Sequence, residues 1–150
     1  MFTEQSKSEF KIDFPANPNW FQTIRLCVLT ACFECGFDNR TAGQVAIAID
    51  EALTNIYRHG YGSKLGGPIV FEMQTTITPK PSVTFVIQDE ARQVKPEDIK
   101  PRSLDEIRPG GIGVHLIKTI MDNVEWTCNQ SKGMTLKMAK TYTTLAKENN

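Results

Sequence analysis

The sequence lacks any excess of charge and any long hydrophobic run. Its 150 residues include 17 basic and 17 acidic side chains, so the formal net charge is zero. A sequence-independent nucleic-acid surface needs a surplus of Lys and Arg, so nucleic acid is not an expected partner. No stretch approaches the ~20 apolar residues that span a bilayer, and the start shows no basic end followed by an apolar segment. We therefore expect a cytoplasmic protein with no membrane contact.

Cysteine is scarce and is not arranged as a complete metal site. Of the four cysteines, Cys32 and Cys35 have the spacing of a redox or zinc pair. A structural zinc site requires four ligands, and Cys27 and Cys128 offer no second pair at a matching spacing. Zinc binding is the less favoured alternative. We interpret all four as reduced thiols, which behave as small apolar residues when buried.

What is present suffices for one soluble domain, since 40% of the residues are hydrophobic. Alternating apolar residues predict strands at 10–14, 69–77, 83–87, 124–128 and 134–138. Helical spacing and glycine stops predict three helices, at about 18–35, 40–59 and 110–121. The sum is a two-layer α/β sandwich, with a mixed, mainly antiparallel sheet and three helices on one face. We predict a single domain over residues 1–150, with a core at about 8–141 and a lid at about 90–110.

The second predicted helix has one apolar face and one polar face. Glu51 and Asn55 lie one turn apart on the polar face. A solvated helix surface would explain this pair equally well. However, the chain continues with a strand that ends at Asp89, although this residue could also cap a turn, and then with a glycine cluster at 110–113. The three features together indicate a nucleotide site.

The glycine cluster predicts phosphate binding at a helix start. Gly110, Gly111 and Gly113 allow backbone N–H groups to approach phosphate oxygens closely. The first turns of the following helix carry no acidic residue, which leaves its positive end free for an anion. The cluster matches neither a P-loop, since no Gly-Lys-Ser or Gly-Lys-Thr follows, nor a dinucleotide fingerprint, since no strand directly precedes it. A different nucleotide-binding fold is required.

The order of these motifs resembles a known family. Glu51 and Asn55, then Asp89, then the segment 108–117 (Arg-Pro-Gly-Gly-Ile-Gly-Val-His-Leu-Ile) and the segment 133–135 (Gly-Met-Thr) are similar to the bacterial anti-sigma-factor serine/threonine kinases. These kinases belong to the GHKL superfamily, which has the Bergerat ATP-binding fold and includes histidine kinases and gyrase. The resemblance covers about residues 8–141. It implies binding of ATP or ADP with Mg²⁺.

The resemblance also implies a role for each motif residue. Glu51 would be the general base that takes the proton from a serine or threonine hydroxyl, and Asn55 would give its side-chain oxygen to Mg²⁺. Asp89 would accept a hydrogen bond from the adenine amino group, the glycines would hold the phosphates, and Thr135 would reach the adenine side. The implied nucleotide-binding set is Asn55, Asp89, Ala91, Gly110, Gly111, Gly113, Val114 and Thr135.

By the same resemblance the protein would be a partner-switching regulator. Its substrate would be a STAS-type anti-sigma-factor antagonist, and it would form a homodimer. A sigma factor that the protein sequesters would be a second partner, as it is in some members of the branch. The alternatives are a nucleotide-binding interaction module without kinase turnover and an interaction protein whose pocket is no longer used.

One position departs from the family pattern. Where the adenine box continues Asp-x-Gly, this chain has Asp89, Glu90 and Ala91, followed by Arg92 and Gln93 in place of small or proline-rich residues. If position 91 requires a positive φ, the methyl group costs about 1 kcal/mol or more. The departure predicts weaker ATP binding or a different path for the loop, and it is the reason for the module alternative. Because the chain keeps both Glu51 and Asn55, we nevertheless expect a serine/threonine protein kinase.

Overall fold

The computed structural model of the protein describes residues 7–100 and 112–144. Within these ranges the predicted two-layer fold is confirmed, with five strands and three α-helices. In chain order they are β1 (Lys7–Pro15), α1 (Pro18–Cys35), α2 (Asn39–Asn55), β2 (Pro68–Thr76), β3 (Ser82–Asp89), α3 (Gly113–Ile120), β4 (Asn123–Cys128) and β5 (Met134–Thr141). A π-helical turn (Ile56–Gly60) continues α2, and a 3₁₀ turn (Pro96–Asp98) follows β3. None of the helices described has the length and hydrophobicity needed to cross a membrane.

Local side chains fix where the first two helices begin and end. The side chain of Asn17 accepts a hydrogen bond from the N–H of Asn19 at the start of α1, and Gly36 ends that helix in the left-handed conformation. The carboxylate of Asp38 caps α2 by accepting from the N–H of Thr41 at 2.8 Å. The cap therefore starts α2 at Asn39, one residue before the predicted start.

The sheet has the strand order β1-β2-β3-β5-β4, and every pair in the described residues is antiparallel. The sequence pattern predicts a mixed, mainly antiparallel sheet, so the observed one is more uniform. β4 and β5 are consecutive strands joined by a tight turn, and Gly133 in that turn has φ +81°. Since β5 inserts between β3 and β4, the turn before β5 lies directly beside the end of β3.

The core lies between the three helices and one face of the sheet. The helices contribute the predicted apolar face of α2 and buried residues of α1 and α3 to this core. The largest fully buried side chains are Phe71, Phe85, Ile24, Ile49, Leu53, Ile69, Ile87, Ile117, Met138, Val28, Val45 and Val83. The opposite face of the sheet carries polar side chains such as Thr84, Gln88 and Lys137, which are exposed.

The cysteines are free thiols, as interpreted from the sequence. Cys32 and Cys35 lie in the core on α1, with 0% and 3% of their surface exposed. Burial raises the pKa of the Cys32 thiol to about 12, and it also raises the pKa of Cys35. The pair is therefore part of the packing of α1 against the sheet.

Three predictions concern residues outside the described ranges. Gly110, Gly111 and residues 101–110 of the predicted lid (about 90–110) all lie there. In the described part, α3 begins at Gly113 and ends at Ile120. The domain boundaries and the role of the lid stay predictions.

Candidate active site

A cavity of about 350 Å³ opens where α2, the π-helical turn and α3 meet β3, β4 and β5. Its volume falls in the range of small-molecule pockets. It is lined by Ala52, Asn55, Ile56, His59, Gly60, Asp89, Ala91, Arg92, Val94, Asp98, Ile99, Lys100, Val114, Ile117, Trp126, Met134 and Leu136. The structure thus brings together four residues of the predicted nucleotide-binding set, namely Asn55, Asp89, Ala91 and Val114.

Asp89 lies at the inner end of the cavity with 6% of its surface exposed. It belongs to the apolar row of β3 because it follows Val83, Phe85 and Ile87 at alternate positions, so its side chain points to the helix side of the sheet. Its Oδ1 accepts hydrogen bonds from the N–H groups of Ala91 at 2.9 Å and Met134 at 3.2 Å. Among the described residues its Oδ2 has no partner, so one acceptor remains for a ligand.

Burial raises the pKa of the Asp89 carboxyl group, while the two backbone N–H groups act in the opposite direction. Since the net shift is upward, desolvation outweighs the two hydrogen bonds. A ligand that donates a hydrogen bond to Oδ2 would stabilise the charged form. Oδ2 is therefore available to a hydrogen-bond donor at this point.

The backbone after Asp89 is held by the turn between β4 and β5. The side-chain amide of Asn129 donates to the carbonyl oxygen of Asp89 at 3.2 Å, and the hydroxyl of Thr135 donates to Oδ1 of Asn129 at 2.6 Å. A side chain at Gly133 would collide with the carbonyl group of Asp89. Gly133 thus combines a positive φ with a close backbone approach, two conditions that glycine alone meets without strain.

Tyr61 holds the same backbone from the other side. Its hydroxyl donates to the carbonyl oxygen of Pro68 at 2.7 Å and accepts from the N–H of Glu90 at 2.8 Å. Glu90 also pairs with Lys132 at 2.9 Å, although both side chains are at least half exposed. The position of the Asp89 carboxylate is therefore fixed from both neighbouring loops.

Ala91 is buried, with 6% exposure, and lines the cavity. Among the described residues other than glycine, only Ser63 has a positive φ, so Ala91 carries no left-handed strain. A methyl group added to Gly60 would lie 2.9 Å from Cβ of Ala91. The absence of a side chain at Gly60 therefore leaves room for the methyl group of Ala91. Strain was expected only if residue 91 had a positive φ, and it does not.

Glu51 and Asn55 lie against the first residue of α3. A methyl group built on Gly113 would lie 2.6 Å from Oε2 of Glu51 and 3.3 Å from Nδ2 of Asn55. A side chain at position 113 would therefore displace the carboxylate of Glu51 from its place beside α3. Ile112, the residue before the helix, provides no side-chain cap, and the first turn has no acidic residue. The free N–H groups at this end can bind an anion beside Glu51 and Asn55.

The helix that carries Asn55 changes its geometry immediately after it. Residues Ile56–Gly60 form a π-helical turn, a local widening that is frequent at functional sites. Ile56, His59 and Gly60 from this turn line the cavity. The sequence pattern predicted a helix to about His59, which is confirmed in extent, but gave no sign of the widened turn.

Thr135 is placed differently from the other predicted residues. It is buried, but its hydroxyl bonds to Asn129, and it does not line the cavity. Its neighbours Met134 and Leu136 line it instead. The alternation of β5 contains this signal, because Met134, Leu136 and Met138 form its buried row and Thr135 points to the other face. Any influence of Thr135 on a ligand passes through Asn129 and the Asp89 backbone.

The residues present fit a magnesium–nucleotide complex. The described residues contain no group of three His, Cys, Asp or Glu side chains able to form a closed metal site. Mg²⁺ in nucleotide sites needs no such cage, because phosphates and water supply most ligands and the protein adds one or two oxygens. Asn55 offers an amide oxygen at the cavity wall, and the Gly113 backbone leaves space beside it.

Comparison with known proteins gives similarities over most of the chain. The family described as the histidine kinase-like ATPase domain matches residues 14–140. A protein named Serine-protein kinase RsbW from Bacillus thuringiensis (strain Al Hakam) is 31% identical over 145 residues, which cover 93% of this chain and 88% of the relative. Its namesake from Bacillus pumilus (strain SAFR-032) is 29% identical over 142 residues, covering 88% and 83%. Among solved structures, the histidine kinase domain from Erythrobacter litoralis EL346 blue-light activated histidine kinase aligns at a TM-score of 0.49 and 13% identity, over 92% of this chain and 69% of that one.

Proposed function

The chain belongs to the histidine kinase-like ATPase domain family, and from this premise we propose that it is an ATP- and Mg²⁺-dependent serine/threonine kinase acting in partner switching. The relatives named serine-protein kinase support this reaction class. The observation that carries the proposal is that Glu51 and Asn55 both lie close to Gly113, beside a cavity that Asn55 and Asp89 line. In this proposal the adenine base would bind at the Asp89 end of the cavity, and the phosphates would bind at the end beside Gly113.

At the inner end, the free Oδ2 of Asp89 would accept a hydrogen bond from the adenine amino group. Apolar side chains line the same cavity, and they include Ala91, Met134 and Leu136. A buried acceptor in an apolar pocket selects a ligand with a matching donor, because a ligand without one leaves the carboxylate unpaired. Asp89 would therefore select adenine over bases that present an acceptor at the same place.

At the open end, the start of α3 would bind the phosphates through backbone N–H groups, and Val114 would line their entry. Gly110 and Gly111, which precede α3 in the chain, belong to the same proposed phosphate loop. Asn55 would give its amide oxygen to Mg²⁺, which neutralises phosphate charge when bound. Arg92 and Lys100 also line the cavity and add positive charge near its rim.

The transfer step assigns Glu51 the role of general base. The substrate hydroxyl oxygen would form a bond to the γ-phosphorus as the bond between that phosphorus and the bridging oxygen of ADP breaks. The hydroxyl proton would pass to the carboxylate of Glu51, so that phosphoprotein, ADP and a protonated Glu51 result. Glu51 is partly exposed at the edge of the site, where a hydroxyl on another protein can reach it.

The protein substrate in this proposal is a STAS-type anti-sigma-factor antagonist, and the second partner is a sigma factor. Both partners would compete for the protein according to the nucleotide bound, with ADP as the product state. The protein would act as a homodimer in the cytoplasm, where ATP and sigma factors are found.

Phosphate transfer tests the proposal directly. The protein is incubated with γ-labelled ATP, Mg²⁺ and a co-encoded STAS protein, and label on the STAS serine or threonine is measured. Glu51→Gln should lower transfer by about two to four orders of magnitude with little change in ATP affinity, as expected for loss of a general base. Asp50→Asn, one residue away on the same helix, is the matched control and should retain transfer.

Two other results would contradict the proposal in different ways. Saturable ATP binding without transfer to any STAS protein would favour the nucleotide-binding module. No binding of a fluorescent ATP analogue at millimolar concentration would reject both nucleotide hypotheses. Asn55→Ala should weaken binding only when Mg²⁺ is present, and an unchanged Mg²⁺ dependence would remove Asn55 from the metal site.

A further inference from the structure

The chain departs from the family pattern at positions 92 and 93, and the side chain at position 93 makes a contact of its own. The side-chain amide nitrogen of Gln93 donates to the carbonyl oxygen of Asn129 at 2.6 Å and to that of Gly133 at 3.3 Å. A glycine, alanine or proline at position 93 would have no side-chain donor for these carbonyl groups. The contact therefore depends on the residue that this chain has at the departure.

The two carbonyl groups lie at the base of the turn between β4 and β5. The N–H of Asn129 donates to the carbonyl oxygen of Gly133 at 3.0 Å, directly after the last pair of the two strands, Cys128 with Met134. Asn129 and Gly133 are thus the first and last residues of the turn. The amide of Gln93 binds where the turn joins the sheet, and not at the tip of the turn.

The same turn also holds Asp89. The side-chain amide of Asn129 donates to the carbonyl oxygen of Asp89 at 3.2 Å, and the N–H of Met134 donates to Oδ1 of Asp89 at 3.2 Å. The chain between Asp89 and Gln93 is therefore attached to this turn at both of its ends. A change at position 93 acts on the same structural unit that orients the Asp89 carboxylate.

The segment 94–100 begins directly after this anchor and forms part of the cavity. Its own hydrogen bonds are local, such as those from the N–H of Asp98 to the carbonyl of Lys95 and from the N–H of Ile99 to the carbonyl of Pro96. Its bond to the sheet, among the described residues, is a weak one from the thiol of Cys128 to the carbonyl of Val94 at 3.5 Å. The segment supplies four lining residues, Val94, Asp98, Ile99 and Lys100. The anchor at Gln93 therefore decides where this part of the cavity lies.

We propose that Gln93 is a positioning residue that attaches segment 94–100 to the turn between β4 and β5, and so forms one wall of the nucleotide cavity before the nucleotide enters. The inference rests on the proposed function, because it takes this cavity as the nucleotide site. Gln93 is not among the described residues that line the cavity, so it acts through the segment that follows it. A wall that is already in place needs less ordering when the ligand binds, which increases affinity.

Substitutions that keep or remove the donors at position 93 test the inference. The carboxylate of Gln93→Glu can only accept, and it would face two carbonyl oxygens, so ATP binding should weaken about tenfold or more. Gln93→Met has a similar length and no donor, and it should weaken binding about fivefold. Gln93→Arg keeps several N–H donors and should stay within about threefold of the wild type. A fluorescent ATP analogue measures each dissociation constant. Gln130→Glu, an exposed residue of the same turn, is the matched control.

The pattern across ligands separates positioning from a general loss of structure. Gln93→Met should weaken ATP and ADP binding by the same factor, with and without Mg²⁺, because the anchor shares its turn with Asp89 at the adenine end. The rate of phosphate transfer at saturating ATP should stay within about twofold of the wild type. The melting temperature without nucleotide should change by less than about 2 °C, since water can bond to the two freed carbonyl groups.

Hydrogen exchange measures the wall directly. In the nucleotide-free protein, peptides that cover 94–100 should exchange about fivefold faster in Gln93→Met than in the wild type. Peptides from β1 and α1 should exchange at the same rate in both proteins. This measurement also decides the inference if Gln93→Glu fails to fold.

Four results would overturn the inference. These are a Gln93→Glu variant that binds ATP within about twofold of the wild type, a Gln93→Arg variant as weak as Gln93→Met, unchanged exchange of 94–100, or a loss confined to Mg²⁺-ATP. A wild type that binds the analogue but transfers no phosphate contradicts the kinase, and the binding constants still decide the role of Gln93. A wild type that binds no nucleotide contradicts both the inference and the proposed function.

Discussion

Replacing Asp89 with asparagine separates ligand recognition from folding. The two N–H donors of Ala91 and Met134 at 2.9 and 3.2 Å require an acceptor, so they would hold the amide oxygen of the new side chain in the place of Oδ1. The amide nitrogen would then face the cavity in the place of Oδ2. A donor would thus oppose the donor of the adenine amino group.

The magnitude follows from the hydrogen bond that is lost. A hydrogen bond to a charged group contributes about 2 to 3 kcal/mol when a buried partner is otherwise left unpaired, which is roughly 30- to 140-fold in affinity. We expect Asp89→Asn to weaken Mg²⁺-ATP binding by about this factor. Inosine triphosphate presents an acceptor where adenine has its amino group, so its binding should improve and the preference should invert. Isothermal titration calorimetry with both nucleotides measures the effect, and Glu90→Gln on the same loop is the control.

Folding should respond in the opposite direction. Burial raises the pKa of Asp89 above its ordinary value of 3.8, so the contribution of this group to stability is fully present below pH 3.8 and is lost as the pH rises through the folded-state pKa. At pH 7 the variant should therefore melt at the same temperature as the wild type or higher. Unchanged ATP affinity would refute the role of Asp89, and a large loss of stability at pH 7 would refute the burial argument.

Further predictions concern the loops and the core. Gly133→Ala should lower the melting temperature and weaken ATP binding, because the added methyl group would collide with the carbonyl group of Asp89 and because residue 133 has a positive φ of +81°. An unaffected variant would mean that the turn can move to relieve the collision. Gly60→Ala should be destabilised by its contact with Ala91, and the double variant Gly60→Ala/Ala91→Gly should recover most of the loss in a thermal melt; strict additivity would show that the two do not pack together. Ala91→Gly alone should not tighten nucleotide binding. Iodoacetamide at pH 8 should spare Cys32 in the folded protein, since burial raises its pKa to about 12, and rapid labelling by mass spectrometry would contradict its burial.

Periodicity predicted most of the fold because each element buries one continuous face. The apolar stripe of α2, the caps at Asn17 and Asp38 and the alternation in the strands all depend on neighbours within a few residues. The uniform antiparallel sheet and the place of β5 between β3 and β4 depend on packing across the chain. The local sequence pattern contains no information about the order of the strands in the sheet.

The candidate site shows the same division. The alternation along β3 places Asp89 in the row that faces the helices. The alternation along β5 places Thr135 outside the row that lines the cavity, although the family resemblance implies that Thr135 reaches the adenine side. The fit of Ala91 depends on Gly60, a residue on another element, and so could not be read from the sequence around position 91. The π-helical turn shifts the backbone hydrogen bonds by one residue but does not alter the spacing of apolar side chains, so that spacing could not predict it.

The contact at Gly113 bears on the choice between a kinase and a binding module. A module that uses nucleotide only to change partners needs Asn55 and the start of α3, but it has no use for a carboxylate one turn away. In this chain a methyl group at position 113 would approach Oε2 of Glu51 more closely than any atom of Asn55. The glycine therefore leaves room chiefly for Glu51, and Gly113→Ala should reduce phosphate transfer more than nucleotide binding. Equal loss of both activities would instead favour the module, since Gly113 would then serve the phosphates alone.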